Sequence, residues 1–302
     1  MINIASVTDS DFVDVLMTSY VSILENNLDD EFHFYVIDDK LTQNDKDYLQ
    51  QLPKIYGNLK KITFIKVNNK YYKKASLDAP TSAVKENTYY KIELPLLVPV
   101  SRLLYLDADT ICCGSISKLW KTNLHGKPAG AVEDGGYGFA APVPSRNYRS
   151  ISAIGNFNKI APGNDGNYFN GGLILFDIPK WKAQHLTEKT RKIVADKGKD
   201  LLWQDQDALN VILNRNWQML DPKYNVQSHT VKGEVKNRYP QRRKLELAAL
   251  QNPVIIHYTE WNKPWVRTGK YVHPWRNQYF WYKYIATMRL HNYAVNQKAI
   301  QT

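Results

Sequence analysis

The chain has only two cysteines among 302 residues, Cys112 and Cys113, and they are adjacent. Neighbouring thiols cannot staple distant segments, and two are too few for a structural zinc site. They read as strand or loop thiols of a reducing, cytoplasmic compartment. The opening Met1-Ile2-Asn3-Ile4-Ala5-Ser6-Val7 has no basic region and no extended apolar run, so it does not read as a signal peptide. The longest apolar stretch, Leu94 to Val100, holds two prolines and is far too short to span a bilayer. Internal repeats and low-complexity linkers are also missing. So are an arginine-rich helix, zinc-finger spacing and an RNA-binding signature, and nucleic acid is therefore not expected as a partner.

What remains is a globular composition with an excess of positive charge. Hydrophobic residues make up 43% and charged residues 23%, enough apolar content for a real core. The formal net charge of +11 suits phosphorylated small molecules or an anionic membrane surface.

The first part of the chain alternates between strand-like and helix-like segments. Ile2 to Val7 is a short apolar run suited to a buried parallel strand. Phe12, Leu16, Tyr20 and Ile23-Leu24 then recur at helical spacing. Phe32 to Ile37 reads as a second strand, and Lys61 to Val67 as a third, apolar on both faces. Thr42 and Asp45 between them form a capping pair for a helix carrying Tyr48 and Leu49. This alternation predicts an α/β fold with a mostly parallel sheet and right-handed crossovers. Leu103 to Leu106, Gly172 to Phe176 and Val254 to Ile256 read as further strands, and Trp203 to Leu213 as a helix. Glu133 to Tyr168 is rich in Gly, Pro, Ser and Asn, as lids and binding loops are. From about Tyr271 the chain turns aromatic and basic, which suggests an appended helix with a polar tail. The expected division is a catalytic domain over 1–270 and a helical extension over 271–302.

Asp107-Ala108-Asp109 follows an apolar strand. In an extended chain, residues two apart project to one side, so both carboxylates can face one cation. Hard oxygen ligands suit Mg²⁺ or Mn²⁺, which can neutralise a departing phosphate. The carboxyl edge of an open α/β sheet is where ligands sit, although Asp-X-Asp also occurs in ordinary solvated turns. Asp9 ends the first strand, where it can bond a base or ribose with Phe12 stacking nearby, or simply cap a helix. His257 ends the strand Val254-Ile255-Ile256. A neutral imidazole there would complete an Asp, Asp, His site that favours Mn²⁺, whereas a lone strand-end histidine is more often structural. Lys263 follows shortly, placed to meet a diphosphate as a point charge. Asn170-Gly171-Gly172, before a strand, permits close backbone approach to a ligand or merely a tight turn. Gln204-Asp205-Gln206-Asp207 opens a helix, where capping is the ordinary explanation.

Taken in order, these segments resemble glycosyltransferase family 8, which includes bacterial lipooligosaccharide galactosyltransferases and glycogenins. The resemblance rests on Asp9, Tyr89-Tyr90-Lys91, Leu104 to Asp109, Gly130 to Asp134, Tyr168 to Gly172, Gln204 to Asp207, and His257-Tyr258 with Lys263-Pro264-Trp265. It implies a GT-A fold: a Rossmann-like, mostly parallel nucleotide-binding sheet flanked by helices. It further implies a UDP-hexose donor, a glycan acceptor and Mn²⁺, with Mg²⁺ a possible substitute. Asp107, Asp109 and His257 would be the metal ligands. Val7, Thr8, Asp9, Phe12, Lys91 and Ala108 would line the nucleotide site. Lys91, Asp134, Asn170, Gly171, Asp205 and Gln206 would surround the transferred sugar. Gln206, Asp205 and Lys263 would carry the chemistry, a same-face substitution that retains configuration. The family often has arginine where this chain has Lys91, and many members have glycine where this chain has Glu260 and Trp261.

Two other classes fit some of these features. A decayed UDP-sugar- or glycan-binding protein would keep the fold and lack turnover. A metal phosphoesterase would need a second cluster of metal ligands, which the sequence does not offer. The reading adopted is a cytoplasmic hexosyltransferase, peripheral at the inner face of the membrane, with its aromatic C-terminal extension as a candidate membrane or partner contact.

Overall fold

A computed structural model describes residues 1–72, 86–134, 161, 168–231, 240–259, 263–266 and 272–301. Of the expected lid or binding loop Glu133 to Tyr168, residues 135–160 and 162–167 lie outside the described residues, as do Glu260, Trp261 and Tyr271.

Among the described residues the strands are β1 (Ile2–Thr8), β2 (Phe32–Asp38), β3 (Leu59–Lys66), β4 (Arg102–Leu106), β5 (Thr110–Cys112), β6 (Ala129–Glu133), β7 (Phe169–Asp177), β8 (Gln218–Met219), β9 (Val226–Gln227) and β10 (Ile255–His257). Among the described residues, the α-helices of six or more residues are α1 (Val13–Glu25), α2 (Gln43–Leu49), α3 (Ile178–Ala183), α4 (Leu186–Lys197), α5 (Gln204–Leu213), α6 (Pro240–Gln251) and α7 (Arg276–Gln301). The seven-stranded main sheet runs β3-β2-β1-β4-β7-β6-β8, and β5-β10-β9 forms a small second sheet. In the main sheet β7 is antiparallel to both β4 and β6, and the other pairs are parallel.

Side-chain alternation explains why the central strands are apolar throughout. Leu104 and Leu106 of β4 and Leu173 and Leu175 of β7 join one buried cluster, with Leu16, Met17 and Tyr20 of α1. Leu103, Tyr105, Ile174 and Phe176 face the opposite cluster, with Trp181 of α3 and Leu209 of α5. Helices cover both faces, so both faces of β4 and most of β7 are apolar. Strand β3 differs from the sequence expectation. It is the sheet's edge, and Lys60 and Lys61 on it are exposed. The Thr42–Asp45 capping box is present at the start of α2.

Strand order reverses between β1 and β4. The chain first builds outward through β2 and β3, then returns to place β4 on the other side of β1. That switch point falls at the carboxyl ends of β1 and β4, where ligands bind in open α/β sheets and where Asp9 and Asp107 follow their strands.

Candidate active site

Asp107, Ala108 and Asp109 form the turn between β4 and β5 rather than the extended segment expected. The Thr110 hydroxyl donates to the Asp107 carbonyl at 2.9 Å and tightens that turn. Both carboxylates nevertheless reach one point, because β10 pairs antiparallel with β5 and sets His257 opposite Thr110. Nε2 of His257 lies 3.3 Å from an Asp109 oxygen and 3.6 Å from an Asp107 oxygen. Candidate ligand atoms of the three residues all fall within 4.8 Å of one another. Lys263 Nζ stands 2.5 Å from the other Asp109 oxygen. Burial works against charge on Asp109, but Lys263 and His257 outweigh it and hold the carboxyl well below the usual carboxylate range.

Strand β7 begins at Phe169, earlier than the Gly172 to Phe176 run read from sequence, so both Gly171 and Gly172 lie inside it rather than in a turn before it. The reason for glycine at 172 is spatial. A Cβ there would stand 2.0 Å from Cε1 of His257 and 2.8 Å from an Asp107 oxygen. The close approach of this strand is what lets imidazole and carboxylate converge. Two acids, one imidazole and a cleared backbone form a donor set suited to a divalent transition metal such as Mn²⁺.

Lys91 lies beneath this group, in a 3₁₀ helix over Glu86–Glu93. Its ammonium contacts Asp205 at 2.9 Å, Asp107 at 3.3 Å and the Gly171 carbonyl at 3.2 Å. Burial disfavours the charge, yet Asp107 and Asp205 keep the Lys91 pKa well above its ordinary value. Lys91 thus serves as the buried counter-charge of the acids.

The sugar-side residues named from sequence also come together. The Gly171 amide donates to Gln206 Oε1 at 2.8 Å. Gln206 Nε2 donates to Asp134 at 3.1 Å, and Asn170 Nδ2 donates to the same Asp134 oxygen at 3.2 Å. The acidic run at the start of α5 divides its work. Asp205 and Gln206 turn to the site, while Asp207 accepts from the Trp203 amide at 2.9 Å and from the Tyr168 hydroxyl at 2.5 Å.

Of the residues assigned to the nucleotide, Val7 and Thr8 end β1, Asp9 and Phe12 follow it, and Ala108 lies in the turn after β4. Thr8 and Ala108 are buried and Val7 is half-buried. The Asp9 carboxylate accepts from the Phe12 amide at 3.1 Å, a turn before the helix; α1 begins at Val13 with Phe12 as its N-cap and no side-chain cap, so Asp9 does not cap it. Phe12 meets Trp265 edge-on, with centroids 6.3 Å apart.

Sequence reasoning passed over three contributors. Thr88 donates to Asp205 at 2.6 Å, Tyr105 donates to Asp107, and Asn225 touches both His257 and Asn170. Thr88 adjoins Tyr89-Tyr90-Lys91 and Tyr105 lies within Leu104 to Asp109, segments already singled out, and their positions were available signals. Asn225 adjoins a two-residue strand and carries no local pattern.

A metal-suited donor cluster at the switch point of a mostly parallel sheet flanked by helices fits a GT-A glycosyltransferase architecture. Among solved structures, the galactosyltransferase LgtC shares this fold with a TM-score of 0.76 at 20% identity, over 93% of this chain and 95% of that one. General stress protein A of Bacillus subtilis (strain 168) is 29% identical over 98% of both chains. Lipopolysaccharide 1,2-glucosyltransferase of Escherichia coli (strain K12) is 30% identical over 89% of this chain and 74% of its own length. The model of glycosyl transferase family 8 matches residues 3–269, and the chain belongs to that family.

Proposed function

We propose that this chain transfers a hexose, glucose or galactose, from a UDP-sugar to a glycan acceptor with retention of configuration. The convergence of Asp107, Asp109 and His257 within 4.8 Å is the observation that carries this reading. The glucosyltransferase relative supports a hexose donor.

Asp107, Asp109 and His257 would hold Mn²⁺, which when bound supplies Lewis-acid neutralisation of the diphosphate. Lys263, already at Asp109, adds a second positive charge where the leaving group develops its own. Asp134, Asn170 and Gln206 orient the sugar through a hydrogen-bonded set. The sugar C1–O bond to phosphate breaks, and the acceptor oxygen bonds C1 on the same face. The acceptor proton passes to the departing phosphate oxygen, and no enzyme nucleophile is required. Asp205 is a poor nucleophile here, because its two oxygens are engaged by Thr88 and Lys91.

The acceptor proposed is a cell-surface polysaccharide, glycolipid or glycoprotein glycan. Among the described residues no helix is long and apolar enough to cross a membrane. Helix α7 carries Arg276, Lys283, Arg289 and Lys298 without any acidic residue, and it exposes Trp281, Tyr284, Met288 and Val295. We propose that this face rests on the anionic inner surface of the membrane, the enzyme itself being cytoplasmic.

UDP release from a panel of UDP-sugars, with and without Mn²⁺, tests the assignment. Mn²⁺-dependent release from UDP-glucose or UDP-galactose is expected. No release from any UDP-sugar would leave a binding protein, the reading that competes with this one.

A further inference from the structure

Amide side chains normally leave their orientation open, but here a backbone group settles it. The Gly172 N–H can only donate, and it donates to Asn170 Oδ1 at 3.0 Å. The Asn170 amino group must then face Asp134, a carboxylate that accepts it at 3.2 Å. Asn225 reaches the same Asn170 oxygen at 2.9 Å, so Asn225 must present its amino group there. Its own oxygen therefore faces His257 Nδ1, at 3.0 Å. An oxygen facing Nδ1 requires a proton on Nδ1. That leaves Nε2, turned to Asp107 and Asp109 at 3.6 and 3.3 Å, as the nitrogen available to a cation.

We propose that Asn225 is a positioning residue that sets the His257 tautomer and links the metal ligand to the sugar pocket. The inference rests on the metal reading above. One run of hydrogen bonds leads from His257 through Asn225 and Asn170 to Asp134, where Gln206 also donates. Asn225 is buried, 2% exposed, so water does not substitute for either of its partners. Its place is fixed by the turn over Pro222–Tyr224, where its amide donates to the Pro222 carbonyl at 3.0 Å, and by β9, which pairs with β10 beside His257. Removing a hydrogen-bond partner behind a metal-ligating histidine typically costs 10–100-fold in metal affinity.

The two bonds can be separated by substitution. Asn225→Asp keeps an acceptor for Nδ1–H but cannot donate to Asn170. Asn225→Ala loses both bonds. Mn²⁺ binding, followed by the electron paramagnetic resonance of the free ion, is measured without any substrate. Michaelis constants for UDP-glucose and UDP-galactose are measured at saturating Mn²⁺.

Asn225→Ala is expected to weaken Mn²⁺ binding by about 10-fold or more. Asn225→Asp should bind Mn²⁺ at least as tightly as the parent, yet show a KM for the sugar nucleotide raised about 10-fold, a size expected when a buried acceptor loses a donor. Substitutions that merely damaged the fold would weaken Mn²⁺ binding and raise KM in both variants. Unchanged Mn²⁺ affinity in Asn225→Ala, or equal loss in the two variants, overturns the proposal. If the parent protein itself binds no Mn²⁺, the metal reading fails instead, and the two failures are distinct.

Discussion

Gly172 and His257 compete for one space: a Cβ on the glycine would stand 2.0 Å from Cε1 and 2.7 Å from Nδ1 of the imidazole. The neighbours here are a strand backbone and a buried ring, so neither yields cheaply. Gly172→Ala is expected to push the ring away from the two carboxylates. Misplacement of a reacting group by about 1 Å costs on the order of 100-fold in rate. Mn²⁺-dependent UDP release should fall by about that factor. An unchanged rate would mean that the imidazole is not held where the reaction needs it.

Asp109 supplies one candidate ligand atom and is also the anchor of Lys263. Asp109→Ala therefore removes a metal donor and frees the lysine together. UDP release in this variant should equal that of the parent protein treated with chelator, and Mn²⁺ should not restore it. Parent-like, Mn²⁺-stimulated turnover would contradict the assignment. Lys263→Ala should retain Mn²⁺ stimulation while slowing donor cleavage, because it removes only the second cation.

Breaking a buried ion pair by deleting one member typically costs 3–5 kcal/mol, roughly, because the partner charge is left uncompensated. Lys91 is 4% exposed and faces both Asp107 and Asp205. Lys91→Met should therefore lower unfolding free energy by about that amount in urea titrations. Adding Asp205→Asn should recover part of the loss, since one stranded charge is removed. If the double variant is less stable than the single one, Lys91 is not acting as the counter-charge.

Asp207 gives a pH dependence whose sign is opposite to that of most carboxylates. Burial pushes its pKa up to about 6 from 3.8, despite hydrogen bonds from Tyr168 and Trp203. The folded protein thus holds this proton more tightly than the unfolded chain. Its contribution is fully present below pH 4, is lost as pH rises towards 6, and amounts to about 2–3 kcal/mol. Asp207→Asn cannot titrate. The difference in stability between parent and variant should change across pH 4–6, the parent losing ground as pH rises. A pH-independent difference would place the Asp207 pKa near its ordinary value.

The sheet was legible because its strands are buried on both faces and end in polar residues. Asp9, Asp107 and His257 could be placed at strand ends from apolar runs alone, and Thr42 with Asp45 marked a helix start. Lys91 and Asn225 were harder for a physical reason. Lys91 sits in a 3₁₀ helix, where hydrophobic periodicity says little, and its partners are distant in sequence. Asn225 acts only because β9 pairs with β10, a contact of two short strands with no pattern to read. Gly171 and Gly172 looked like turn residues because glycine is depleted from strands. Their position inside β7 becomes intelligible only once His257 is seen against them.

Helix α7 can be tested as a membrane contact only if its outer face is separated from its inner one. Tyr279 is buried and packs against Trp265, with centroids 4.7 Å apart, and against Tyr258 at 6.1 Å. The Tyr258 hydroxyl donates to the Trp275 carbonyl at 2.9 Å. Lys283 pairs with Asp14, and Arg289 with Glu25, tying the helix to α1. Removing everything after Trp275 would therefore uncover residues that flank His257 and Lys263, and hydrolysis should suffer along with any attachment. Trp281 and Tyr284 are 60% and 58% exposed, on the opposite side from Tyr279. Replacing both with Ser should leave UDP release intact and change stability by no more than about 0.5 kcal/mol per site, as surface substitutions usually do. Binding to vesicles rich in anionic lipid should weaken, because aromatic side chains that would sit at the interface are gone. If the double variant sediments with those vesicles as fully as the parent, α7 does not dock there and its exposed aromatic face needs another partner.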